Sequence, residues 1–98
     1  MHILLKKFGS RLSSREAGRE ALLAIQPTLE RVALTEEVEV DFEGVQAFST
    51  SWGDEMLGGL VKQFGERLIL KTTDNPSVRI SLDLLEKINE RKFRKVKI

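Results

Sequence analysis

Ninety-eight residues suffice for one hydrophobic core, so the chain reads as a single domain over 1–98. The balance of 41% hydrophobic and 32% charged residues is that of a globular chain rather than a disordered one, and the absence of cysteine excludes disulfides, thiolate zinc sites and a cysteine nucleophile. Net charge is only +1, yet Arg91, Lys92, Arg94, Lys95 and Lys97 crowd the C-terminal end and leave an acidic remainder.

From the N-terminus, Ile3, Leu4 and Leu5 with Phe8 predict a short first strand ended by Gly9. Ser13 and Glu16 have the spacing of a capping box, in which each side chain satisfies the other's orphan backbone donor at a helix start. Ala17, Ala21, Leu22, Ala24 and Ile25 follow at helical spacing and predict a helix over 14–26. Pro27 either ends it or starts a further turn through Leu29 and Val32. Over residues 37–43 apolar and acidic residues alternate strictly. Val38, Val40 and Phe42 share one face and Glu37, Glu39, Asp41 and Glu43 the other, the pattern of a strand covered on one side. Gly44 turns the chain, and Val45 and Phe48 return to the core.

Residues 51–64 place Met56, Leu57, Leu60, Val61 and Phe64 on one helical stripe. Gly58 and Gly59 inside that pattern each cost about 1 kcal/mol against alanine, which predicts close approach to another backbone. Gly65 is a candidate C-cap. Leu68, Ile69 and Leu70 form another strand, and Asn75 before Pro76 is a good cap and first-turn pair. Val78, Leu82, Leu85 and Ile88 then predict a last helix to about residue 92, with a strand over 78–80 as the alternative at its start.

Strands alternating with helices specify an α/β domain. About four strands form a mixed or parallel sheet, and the alternating strand puts the helices mainly on one face. No segment is apolar over the length of a membrane span or a secretory leader, which predicts a cytoplasmic protein without membrane contact.

Enzymatic chemistry finds little to stand on. The glycines match neither the dinucleotide nor the Walker spacing. His2 is the only histidine, so neither a Ser-His pair nor an imidazole metal cluster can be built, and no metal or cofactor is expected. Asp54 and Glu55 are neighbours in what reads as a first helical turn, where they complement the dipole and where one points away from any shared ligand. Trp52 reads as a core or interface anchor. The basic tail is a nucleic-acid contact, a solvated end that complements its helix dipole, or a counterweight to the acidic body.

The hydroxyls Ser49, Thr50 and Ser51 at the start of the second helix carry the remaining signal. In one reading Ser51 caps the helix while Ser49 and Thr50 make local turn bonds. In the other, a phosphate there adds about −1.5 to −2 charges beside Asp54 and Glu55 and changes what the surface binds.

Val40-Asp-Phe-Glu-Gly-Val45, then Ser49, Ser51, Asp54 and Glu55 before an apolar helix, resembles the STAS-like domain family of unknown function. That family's pattern is a strand ending in Asp-Phe-x-Gly-Val followed by a Ser-x-Ser-Phe-Ala-Asp-Glu helix start. The likeness extends to Ser14-Arg15 before the first helix, and Trp52 and Gly53 stand where Phe and Ala are usual. Anti-sigma-factor antagonists, the better-known STAS domains of bacteria, are similar in their strand, loop and helix. Laying Asp41 on their strand-end Asp puts Thr50 at the phosphorylated hydroxyl, while their loop Asp and Gly are absent here. The resemblance implies a non-enzymatic regulatory binding module with a STAS-like fold. It implies a histidine-kinase-like ATPase as partner, docked near Trp52, Asp54 and Glu55 and switched at Ser49, Thr50 or Ser51. The alternative is a nucleic-acid-associated accessory protein acting through the basic tail.

Overall fold

The computed structural model describes residues 1–97; the Lys97 side chain and Ile98 lie outside the described residues. The strands are β1 (His2–Leu4), β2 (Arg11–Leu12), β3 (Val38–Asp41), β4 (Ala47–Phe48), β5 (Leu68–Thr72) and β6 (Arg94–Lys97). The helices are α1 (Arg15–Leu29), α2 (Thr50–Phe64) and α3 (Pro76–Asn89). Four strands make the main sheet in the order β1-β3-β5-β6, and β2 pairs with β4 apart from it. Every pairing is parallel, so the mixed sheet expected from the sequence resolves into a parallel one. The physical reason is that each step along the main sheet contains a helical crossover, which returns the chain to the same end before the next strand starts.

Successive crossovers of one hand, stepping in one direction, stack their helices on one face. α2 lies in the middle of that layer and packs on both α1 and α3. Val38, Val40, Leu68 and Leu70 point beneath it and are buried, as are Met56, Leu57, Leu60 and Phe64 from above. The opposite face of the sheet carries polar side chains in pairs. Lys71 meets Glu39 at 3.5 Å, and His2 Nε2 lies 3.1 Å from Asp41. The alternation over 37–43 therefore forecast the one-sided cover correctly.

Several boundaries shift. The α1 cap is Ser14, at φ 74°, whose Oγ accepts from Ala17 N at 3.1 Å, so the Ser13–Glu16 box does not form. Pro27 sits inside the last turn of α1, which continues to Leu29 and closes with a Val32 N to Leu29 O bond. Leu5–Phe8 is a single 3-10 turn rather than the end of β1. Residues 78–80 are helical, because Asn75 Oδ1 caps α3 through Ser77 N at 2.8 Å with Pro76 in its first turn. Gly65 ends α2 at φ 56°, the C-cap read from the sequence.

The close backbone approach exists, but elsewhere than expected. A Cβ on Gly18 of α1 would stand 2.5 Å from the Trp52 carbonyl oxygen, so Gly18 is where α1 crosses α2. Gly59 instead makes room for the Leu22 side chain, and Gly58 opens to space. Ile88 leaves the predicted core stripe and is 61% exposed, since α3 turns Val78, Leu82 and Leu85 inward.

The C-terminal tail is the largest correction. It returns as strand β6, pairing Ile69 with Arg94 and Leu70 with Lys95. α3 stops at Asn89, where Glu90 adopts a left-handed φ of 50° and reverses the chain.

Candidate regulatory site at the start of the second helix

β3 ends beside its own turn: Asp41 Oδ1 accepts from Glu43 N at 2.9 Å, and Val45 N bonds Phe42 O. The chain then passes through β4 to the first turn of α2. Side chains from α3 hold this passage. Asn75 Nδ2 donates to the carbonyls of Val45 and Gln46, each at 3.0 Å. Ser77 Oγ accepts from Phe48 N at 2.9 Å, and Ser81 Oγ donates to Phe48 O at 2.6 Å. From the other side, Ser49 N donates to Leu12 O at 2.8 Å. The start of α2 is thus a fixed platform anchored to β2 and α3.

Three adjacent hydroxyls on it have different fates. Ser49 is the cap, its Oγ accepting from Trp52 N at 3.1 Å. Ser51, to which the sequence assigned the cap, is exposed in the first turn, because the helix begins at Thr50, two residues earlier than a Ser51 cap requires. Thr50 is half-buried at the first helical position. Among the described residues neither the Thr50 nor the Ser51 hydroxyl enters a hydrogen bond.

Trp52 belongs to the core and not to a partner surface. It is 1% exposed, with Phe48 edge-on at a ring separation of 5.9 Å and Phe8 at 6.2 Å. Asp54 and Glu55 fall in the second turn of α2, beyond the reach of dipole complementation. Nor does one of them point away. Arg15 Nη1 donates to Asp54 Oδ2 at 2.8 Å and to Glu55 Oε1 at 3.2 Å, and Arg19 lies 3.5 Å from Glu55. The α1–α2 crossing at Gly18 brings the arginines of α1 over the second turn of α2, and long side chains span the angle between adjacent positions. Its hydrogen bond to Asp54, then that to Glu55, pushes the Arg15 guanidinium even higher than its ordinary range.

Two cations of the tail pair with the body. Glu86, 6% exposed, accepts from Lys95 Nζ at 2.9 Å and from Phe93 N at 2.8 Å. Arg94 reaches Glu37 at 3.2 Å and donates to Glu66 O at 2.6 Å. Burial pushes the Glu86 carboxyl up, but the Lys95 and Phe93 hydrogen bonds and the charges of Lys95 and Lys92 outweigh it and leave its pKa below the ordinary value. Arg94 and Lys95 are thus tied to the body of the domain, while Arg91 and Lys92 remain exposed.

Sequence reasoning missed Ser77, Ser81 and Arg15. Ser81 had a signal: it interrupts the apolar stripe between Val78 and Leu82, and a buried hydroxyl requires a partner. Arg15 had none, since its partners lie 39 and 40 positions away.

The family model described as a STAS-like domain of unknown function (DUF4325) matches residues 24–78, from the second half of α1 to the first turn of α3. That is more than half of the chain, and the chain belongs to this family. Nothing among curated proteins and nothing among solved structures matches it significantly.

Proposed function

We propose that this STAS-like domain is a non-enzymatic regulatory module of the cytoplasm. In this reading it docks a partner protein against the start of α2, and Thr50 is the hydroxyl that switches the docking. One observation carries it: of three adjacent hydroxyls, Ser49 is used as the cap, while Thr50 and Ser51 stay uncommitted on a platform anchored from both sides. A phosphate on Thr50 would meet the amide-rich start of a helix, which favours it. It would also bring about −1.5 to −2 charges one turn before Asp54 and compete for Arg15. The surface presented to a partner changes while the core beneath is untouched. The resemblance to anti-sigma-factor antagonists supports a histidine-kinase-like ATPase as the partner class.

The test pairs purified wild-type and Thr50→Glu chains with such an ATPase from the native host, with mass spectrometry of the endogenous chain for phosphate. Thr50→Glu is expected to weaken binding and to leave the melting temperature nearly unchanged. Equal binding by both chains removes the switch, and binding by neither removes this partner class.

A further inference from the structure

Six of the chain's 7 glycines answer to the fold. Three carry a positive φ, and at Gly18, Gly53 and Gly59 a Cβ would stand closer than 3.0 Å to a neighbour. Gly58 does neither. It lies inside α2, where glycine is destabilising relative to alanine, and a Cβ there would meet nothing within 4 Å. The packing of the domain therefore gives no reason for the missing side chain.

What the missing side chain leaves is a groove over α2. Two adjoining hollows share Gly58, Lys62 and Asn89. One reaches towards α1 at Leu22 and Arg15. The other, of about 480 Å³, lies between the second half of α2 and the chain that leaves α3. Beside Gly58 it is lined by the half-buried Val61 and Phe93 and by the exposed Lys62 and Arg91. Among the described residues neither of these cations is in an ion pair, although Lys92 and Lys95 nearby both reach Glu86. The wall is fixed in place: Arg91 N donates to Glu86 O at 3.1 Å, and Phe93 N to Glu86 Oε2 at 2.8 Å.

We infer that this second hollow binds a small anion with a flat apolar body, of the class of aromatic phosphates and carboxylates. Its volume falls within the range of about 300–1,000 Å³ that small-molecule sites occupy. A helix backbone bare at Gly58 admits a ring, Val61 and the Phe93 ring give it apolar and stacking contact, and Lys62 and Arg91 supply the charge that an anion completes. Glycine at 58 gives up stability for that room. The hollow lies towards the end of α2 opposite Thr50 and stands independently of the function proposed above.

Titration of the full chain with 1-naphthyl phosphate, followed by amide chemical shifts, tests it. Saturable shifts should centre on Gly58, Val61, Lys62, Asn89 and Phe93 at up to millimolar probe, and 1-naphthol and inorganic phosphate should each bind more weakly. Gly58→Ala should raise the melting temperature by about 2–8 °C and still weaken binding, because the new methyl group stands where the ring lies. Gly58→Leu should stay folded and lose the binding altogether. Lys62→Gln and Arg91→Gln should each weaken it about two- to five-fold, the range of an exposed ion pair. A wild type that does not bind the probe at millimolar concentration overturns the proposal, as do shifts centred elsewhere. Binding indifferent to Gly58→Leu overturns the site, and equal binding of 1-naphthol or of inorganic phosphate overturns the ligand class.

Discussion

The start of α2 and the C-terminal tail looked alike in one respect: each concentrates a single kind of polar group at the edge of an element. In the fold they part. The tail spends its groups internally, Lys95 on Glu86 and Arg94 on Glu37 and Glu66, whereas Thr50 and Ser51 keep theirs. The difference lies in what each segment must satisfy. A strand added to a sheet brings its side chains over both neighbouring faces, where acidic residues wait. The first turn of a helix needs only a cap, and Ser49 supplies it. Clustering of polar residues therefore identifies function only after the structural demands on them have been met.

The comparison breaks most visibly at the tail. Truncation after Lys92 should abolish the cooperative melt and yield aggregated protein. It removes β6 and the half-buried Phe93 and turns Leu68, Ile69 and Leu70 of β5 into an uncovered apolar edge. A truncated chain with a sharp thermal transition near that of the wild type would show the strand to be dispensable. Next, Gly18→Ala should cost about 1–3 kcal/mol, as a methyl group forces α1 off the Trp52 backbone; urea denaturation reads it directly.

Glu86→Gln should lose about 1.5–3 kcal/mol at neutral pH, the range for hydrogen bonds to a charged group. The sign of the pH dependence follows from its lowered pKa. The wild-type contribution is complete above the unfolded-state value, near 4.3, and is lost as pH falls through the lower folded-state value. Denaturation curves of the two chains should therefore converge in acid, and a gap that stays constant down to pH 2–3 would sever Glu86 from the tail.

The smallest effects separate the hydroxyls. Ser49→Ala should cost about 0.5–2 kcal/mol as a lost cap. Ser51→Ala should fall within about 0.5 kcal/mol of the wild type, as for other exposed substitutions. The reverse order would return the cap to Ser51.

Fold class and one-sided cover were legible in the sequence, because they rest on periodicity, and periodicity is local; the short β2 and β4 and the basic β6 carry no such pattern and were not. The alternation of Val38, Val40 and Phe42 with acidic residues is complete within seven positions, and the Asn75–Pro76 cap within two. The candidate site was legible as a place and not as a distribution of roles, since a shift of two residues moves the cap of α2 from Ser51 to Ser49. What only the tertiary structure decided involves partners far apart along the chain. It brought Arg15 to Asp54 and Glu55, set Ser77 and Ser81 on the Phe48 backbone, and buried Trp52 beneath Gly18. It also folded a basic tail into a strand whose lysine neutralises a buried glutamate. Hydrogen bonds and ion pairs act over a few ångströms in space regardless of separation along the chain, so a local pattern can mark a residue such as Ser81 as needing a partner but cannot name the partner.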